Sequence, residues 1–265
     1  MSYKLGILGV GKMGGAILDG VVSSKIYDKK EIYLYSPEEE TKNKYVNLGF
    51  NFAENEKDLF LNSNIILIAI KPQVFTEALV YAKDLDFSGR GVLSIAAGKK
   101  ISELESYFKN ATITRAMPNL PASIRCGAIT VCANRYDSLF DESFKILSSV
   151  GSVSKIEENQ MDETLPLNGS MPAYAYLFAK AFIDYAVKNG IDYNVALDLT
   201  CNSIKGSMDM ILSNKDTSID TLIKNVCSKG GTTIEGLNKL YDNSFEEIIY
   251  KCAQACTDRS KELSK

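Results

Sequence analysis

One hexapeptide near the amino terminus constrains this chain more than any other feature: Gly9-Val10-Gly11-Lys12-Met13-Gly14. It follows a short apolar run, Lys4–Leu8, and opens a stretch, Met13–Ser24, that reads as a helix. A G-x-G-x-x-G turn between a strand and a helix has three separate jobs. Gly9 permits the tight turn, Gly11 lets the backbone approach a pyrophosphate, and Gly14 allows close packing of helix on strand. The phosphates then rest on the helix N-terminus, where unpaired N–H groups and the helix dipole favour an anion. A glycine-rich turn that binds nothing is the alternative, and the hexapeptide alone is a weak signal. Its place inside a strand–turn–helix unit makes it informative.

The residues that follow keep the same alternation. Strands are expected at Glu31–Tyr35, Ile65–Ile70, Gly91–Ile95, Thr112–Ala116, Ala128–Ala133 and Ser152–Ile156. Ile65–Ile70 (IILIAI) is continuously apolar, as expected of a strand buried on both faces. Helices are expected at Pro37–Leu48, Gln73–Asp84, Ile101–Phe108 and Asp137–Ser148. Strands alternating with helices argue for a parallel, doubly wound sheet. The character changes at the polar connector EENQMDE, residues 157–163, after which no strand is convincing. Helical stretches follow at Thr164–Lys188 (interrupted near Gly169 and Pro172), Tyr193–Leu212, Ile219–Val226, Thr232–Leu240 and Ser244–Leu263, with Asp192 and Ser218 placed as N-caps. At 265 residues the chain has room for two domains. The fold class is therefore α/β, a doubly wound sheet over residues 1–160 followed by a helical domain over residues 161–265.

Composition removes several chemistries. The chain has no His. That excludes Ser-His-Asp and Cys-His nucleophile systems, His-ligated zinc, and dehydrogenases with a His proton donor. A net charge of −3 without broad basic character gives no footprint for nucleic acid. None of the six cysteines forms a C-x-x-C pair, so no metal site is expected, and Cys252 and Cys256 read as helix packing residues. The opening MSYKLGILGV does not read as a secretory signal, and no apolar run reaches the roughly 18 residues of a membrane span. The expected location is the cytoplasm, with reduced thiols.

Ligands of an open α/β sheet gather at the carboxyl ends of its strands. Three unusual segments fall there: Lys71-Pro72-Gln73, Ser94-Ile95-Ala96-Ala97-Gly98 and Met117-Pro118-Asn119-Leu120-Pro121-Ala122. The second strand ends in Ser36-Pro37-Glu38. Ser36 stands where an NAD site usually carries an acid, and its hydroxyl suits either a ribose 2′-hydroxyl or a 2′-phosphate. No Arg is near, and Lys42 and Lys44 are assigned to the solvent face, so NAD and NADP stay open. In the helical half, Ser228-Lys229-Gly230-Gly231-Thr232-Thr233 precedes a helix. Its glycine N–H groups, Thr hydroxyls and helix N-terminus favour an anion such as a carboxylate, although an ordinary capped turn is the plainer alternative.

Taken together, GVGKMGGAI, IKPQ (Ile70–Gln73), SIAAG (Ser94–Gly98), RAMPNLPA (Arg115–Ala122), GSMPAY (Gly169–Tyr174) and VCSKGGTTIEGL (Val226–Leu237) resemble pyrroline-5-carboxylate reductases, in order and along essentially the whole chain. The resemblance implies a Rossmann-type domain followed by an all-α dimerisation domain, with dimers that often build decamers. It implies an NADPH- or NADH-dependent reduction of 1-pyrroline-5-carboxylate to L-proline, the last step of proline biosynthesis. Carried over by position, Ser228, Gly230, Gly231, Thr232 and Thr233 would hold the substrate, and the Thr233 hydroxyl would take the catalytic contact with the ring nitrogen. Gly9, Gly11, Lys12, Met13 and Gly14 would line the pyrophosphate, and Ser36 and Asn55 the adenosine ribose. Ala69, Lys71, Pro72, Ala96 and Ala97 would border the nicotinamide half, and Asn119 completes the cofactor set. An active site at the domain or dimer junction is implied, with no nucleic acid and no membrane as partner.

The chain departs from the family's usual pattern at Leu120 (usually Thr), at Met171 (usually Gly) and at Lys229 (usually Pro). These departures keep alive a reductase-like paralogue with another substrate or a non-catalytic nucleotide-binding role. The hydroxyacid dehydrogenases that share this two-domain plan resemble one another in a Lys on the long interdomain helix, four residues after a G-x-G, and an Asn four further on. The corresponding positions here are Ala175 and Ala179, with Lys180 out of register, which argues against that class.

Overall fold

A computed structural model describes residues 3–263. The first elements are β1 (Tyr3–Leu8), α1 (Lys12–Ser23), β2 (Ile32–Tyr35), α2 (Glu39–Asn47), β3 (Asn51–Phe52), α3 (Glu56–Asn62), β4 (Ser63–Ile68) and α4 (Phe75–Ala78). They continue with β5 (Gly91–Ser94), α5 (Ile101–Tyr107), β6 (Thr112–Met117), β7 (Gly127–Ala133), α6 (Ser138–Ser148) and β8 (Gly151–Lys155). Helices α7 (Met161–Thr164), α8 (Met171–Lys188), α9 (Tyr193–Ser213), α10 (Ile219–Val226), α11 (Thr232–Asp242) and α12 (Phe245–Leu263) complete the chain.

The strands form one 8-stranded sheet in the order β3-β2-β1-β4-β5-β6-β7-β8. The chain leaves β1 toward one edge and returns through β4 toward the other, so the crevice between the carboxyl ends of β1 and β4 is the switch point where such sheets bind ligands. Alternation along the strands explains why both faces are apolar. Ile65 and Leu67 of β4 join Leu5, Ile7 and Leu34 in one buried cluster, while Ile66 and Ile68 join Leu8 and Val92 in another. Phe60, Phe87 and Phe108 meet edge to face in the second cluster, an arrangement that suits the ring quadrupoles.

Two local readings need correction, and two short elements are unannounced. The sheet is not wholly parallel: β7 runs antiparallel to β6, and β8 is parallel to β7. The connection between β6 and β7 is a short link built on a 3-10 turn, Leu120–Ile124, and a parallel crossover needs a dozen or more residues. The expected helix Gln73–Asp84 is only α4 flanked by 3-10 turns, because Val74 and Leu79 sit at φ −99°, ψ 3° and φ −100°, ψ 2°. Phe75, Leu79 and Ala82 are still buried, so the apolar spacing survives without the continuous helix. The sequence pattern announces neither β3 nor α3. Each is short, and α3 is held at its start by the Asn55 side chain.

The chain divides into two compact units, one reaching Pro172 and taking in Cys256 onward, the other Ala173–Ala255. The first unit recovers the chain's end through Ser260, whose hydroxyl donates to Asp162 at 2.6 Å, and a Lys261–Glu163 ion pair at 2.7 Å. In the second unit, the Asp192 carboxylate accepts from the Asn194 and Val195 N–H groups, and the Ser218 hydroxyl accepts from Thr221 N–H. Both caps are the ones the sequence suggests. Only Ile183 and Ala196 of this unit are buried. Leu177, Leu199, Leu212, Ile248 and Tyr250 are among its exposed large apolar side chains.

Candidate active site

The cleft at the switch point is built by the glycine turn. Gly9 follows β1 at φ +93°, donates its N–H to Tyr35 O at 2.9 Å, and would put a Cβ 2.8 Å from Ala69 O. A Cβ on Gly14 would strike Gly9 O and press on Ala69. These two glycines let α1, β1 and the end of β4 close on one another. Gly11 differs from both: a Cβ there meets nothing within 4 Å. It is the N-cap of α1 and offers no capping side chain, and the first turn of α1 carries no acidic residue. The helix end is therefore left open to an outside anion.

The cleft holds about 600 Å³, and Gly9, Gly11, Ser36, Glu38, Ala69 and Lys71 are among its walls. At the end of β2 the Ser36 hydroxyl donates to the Glu38 carboxylate. That bond, then a backbone hydrogen bond and the nearby Lys71 charge, hold the Glu38 carboxyl below its usual range. Glu38, Thr41, Glu56 and Glu77 also line the cleft, and sequence reasoning does not single them out. For Glu38 a signal does exist: the acid expected at the end of the second strand stands two positions beyond Ser36.

The other anticipated cofactor residues are more scattered. Lys12 is exposed on the first turn of α1, while Met13 packs against the core beneath it. Asn55 caps α3 by accepting from Asp58 N–H at 2.9 Å and does not line the cleft; its neighbour Glu56 does. Pro72 opens the 3-10 turn Pro72–Val74. Ala96 is buried, with its N–H donated to Ser94 Oγ at 3.3 Å, and Ala97 is exposed. Neither alanine is part of the cleft wall.

Asn119 is 7% exposed, and its side chain is engaged at both ends. Its Oδ1 accepts from Ala128 N–H at 2.9 Å, and its Nδ2 donates to Asn168 O at 3.1 Å. Asn168, also buried, donates to Met117 O at 2.8 Å and accepts from Gly169 N–H at 2.6 Å. Nearby, buried Arg115 pairs with Glu158 at 2.9 Å, and the same carboxylate accepts from Ile101 N–H at 2.7 Å. The RAMPN segment thus works as an internal brace that joins β6, β7 and the residues before α8.

In the second unit, the turn between α10 and α11 is closed by Gly231 N–H on Ser228 O at 3.0 Å, with Gly230 at φ +70°. Gly231 is the N-cap of α11, so Thr232 and Thr233 occupy its first two positions. Ser228, Gly230, Thr232 and Thr233 are exposed and Gly231 is half-buried. The arrangement is a helix start with no side-chain cap, edged by three hydroxyls.

The chain is 32% identical to the pyrroline-5-carboxylate reductase of Haemophilus influenzae over 268 residues, covering 99% of this chain and 98% of that relative. The chain belongs to the pyrroline-5-carboxylate reductase family. The family's Aquifex aeolicus member is likewise 32% identical, over 99% of this chain and 98% of its own length. A family model described as pyrroline-5-carboxylate reductase dimerisation matches residues 158–263, and one described as coenzyme F420-dependent NADP oxidoreductase matches residues 4–98. The crystal structure of Plasmodium falciparum pyrroline carboxylate reductase with NADP bound superposes with a TM-score of 0.85 at 30% identity, covering 99% of this chain and 98% of that one. A pyrroline-5-carboxylate reductase from Coxiella burnetii gives 0.91 at 28% identity over 100% of both chains. Against this family background, Leu120 is 56% and Met171 42% exposed, so neither departure is a core substitution. Lys229 is exposed on the α10–α11 turn.

Proposed function

We propose that the chain reduces 1-pyrroline-5-carboxylate to L-proline, using NADPH or NADH, by hydride transfer to the carbon of the C=N bond, the atom that becomes C5 of proline. The observation that carries this reading is full-length membership of the family together with the open Gly11 cradle at the sheet's switch point. The residues present fit a dinucleotide: a pyrophosphate needs close backbone approach at one glycine and a free helix start, and Gly11 and α1 provide both. When bound, the reduced nicotinamide supplies the hydride.

The chain's own residues have the remaining work. Gly9, Gly11 and the first-turn N–H groups of Lys12, Met13 and Gly14 would hold the diphosphate. Ala69, Lys71 and Pro72 would border the nicotinamide half. Ser228, Gly230, Gly231 and Thr232 would cradle the substrate carboxylate, and Thr233 would hydrogen-bond the ring nitrogen. A C=N bond can be protonated before reduction, and hydride addition to an iminium gives a neutral amine. No growing alkoxide then needs an acid at that step, in keeping with a chain that has no His. Rate enhancement would rest on positioning and on the local field.

The test is substrate-dependent loss of nicotinamide absorbance with purified protein and each cofactor. Cofactor binding without turnover would replace this reading with the paralogue role raised by Leu120, Met171 and Lys229. Thr233→Ala is expected to lower kcat by about 10- to 100-fold, the worth of one hydrogen bond to a charged group. Its dinucleotide affinity should match that of the parent, as titration would show. An unchanged kcat would remove Thr233 from the mechanism.

Residues 161–265 are assigned to substrate binding and dimerisation, and residues 1–160 to the dinucleotide. Self-association, as a dimer or decamer, is supported by the exposed apolar side chains of α8 and α9. Phe178, Phe182, Leu199, Ile204 and Met208 line one groove there. Leu199→Asp is expected to shift the protein to a smaller species in light scattering, since a buried charge at an interface costs several kcal/mol. No helix among the described residues is long and apolar enough to cross a membrane. The proposed location is the cytoplasm, and nucleic acid is not a proposed partner.

A further inference from the structure

The cleft wall beside β2 is rich in negative charge, with the Thr41 hydroxyl as its uncharged polar neighbour. Ser36 gives its only hydroxyl proton to Glu38, which leaves both side chains accepting. Glu38, Glu56 and Glu77 line the cleft, and Lys71 is the one cation lining it among the described residues. The two lysines nearest Glu38 in sequence, Lys42 and Lys44, do not line the cleft; Lys42 lies 3.8 Å from Glu39 and Lys44 sits 5.1 Å over the Tyr45 ring. No Arg among the described residues lines the cleft.

These groups can be matched to the two forms of the cofactor. A ribose 2′-hydroxyl is a donor and suits a carboxylate. A 2′-phosphate offers acceptor oxygens and close to two negative charges, and needs Arg or Lys donors. Resting on the dinucleotide-dependent reading above, we propose that Glu38, oriented by Ser36, binds the adenosine ribose diol and makes this chain select NADH over NADPH. Ser36 is then a positioning residue for Glu38 rather than itself the ribose ligand.

A carboxylate within about 5 Å of a 2′-phosphate, at the cleft's surface dielectric, is worth on the order of a tenfold penalty or more. Wild-type protein is therefore expected to show a kcat/KM for NADH at least about tenfold above that for NADPH. Calorimetry should show NAD+ binding tighter than NADP+ by a similar factor. Glu38→Gln, which keeps the shape and removes the charge, should shrink both ratios by about tenfold, chiefly by improving the phosphorylated cofactor. Ser36→Ala should shift them in the same direction by less. Equal or better use of NADPH by wild type, or ratios unchanged in Glu38→Gln, would overturn the assignment. The binding arm separates this claim from the reaction. Tighter NAD+ binding that Glu38→Gln equalises, without turnover, would retain Glu38 and discard the reductase reading. Turnover with indifferent cofactor choice would do the reverse, and binding of neither nucleotide would discard both.

Discussion

Replacing Gly11 with valine should abolish dinucleotide binding and leave the fold nearly as stable as before. The backbone at Gly11 has φ −71° and ψ −162°, an extended conformation open to any residue. A Cβ built there meets no protein atom within 4 Å. The folded chain thus loses little, at most the ~1 kcal/mol that separates good from poor N-caps. The same open space is where a pyrophosphate must lie against the backbone, so the isopropyl group and the ligand compete for it. Affinity should fall at least about 100-fold, or ~2.8 kcal/mol.

Gly14→Ala should give the opposite pattern. Its methyl would strike Gly9 O, which is backbone and cannot rotate aside, so α1 must lift from β1 at a cost of about 1–3 kcal/mol. Chemical denaturation and nucleotide titration on the two variants separate the roles. If Gly11→Val bound NAD+ or NADP+ as the parent does, the pyrophosphate would not lie on this turn.

The three glycines show where sequence reading succeeds and where it stops. Their jobs follow from the spacing and from the strand and helix on either side, and the structure puts Gly9 at positive φ, Gly14 at a close approach and Gly11 in the open. The caps Asp192 and Ser218 were equally legible, because the acceptor and its N–H lie two or three residues apart. Features that depend on distant partners were not. The reversal at β7 is decided by the length of the link after β6 and by pairing with a strand already in place. Asn55 is instead a local case passed over: its Oδ1 accepts from Asp58 N–H, three residues on, a cap of the same kind as Ser218. Glu38 stood in plain view, but its importance depends on Ser36 turning its proton toward it.

Asn119 is the clearest case of a residue whose role cannot be read locally, and it supports the second large effect. Its partners are Ala128 N–H, across the β6–β7 link, and the Asn168 carbonyl, 49 positions away in sequence. Asn119→Ala leaves the carbonyl of buried Asn168 and the N–H of exposed Ala128 without this partner, and the buried group dominates the cost, so a loss of about 1–4 kcal/mol in unfolding free energy is expected. Asn119→Asp is more informative. Its carboxylate could still accept from Ala128 N–H, but it would face the Asn168 carbonyl with no proton to donate. Burial and that carbonyl both favour the protonated acid, so the folded-state pKa of the new group lies above the unfolded value of about 3.9. The folded state then binds more protons than the unfolded one between those two values, and stability falls as pH rises through them. The variant should be markedly less stable than the parent at neutral pH and recover relative to it as pH drops toward about 4. Denaturation curves across that range test the sign. Nucleotide affinity of the folded variants, measured well below their melting temperature, tests the role. If it stays at the parental value, Asn119 is a brace holding β7 and the start of the helical segment. If affinity collapses while stability holds, Asn119 belongs with the cofactor residues after all.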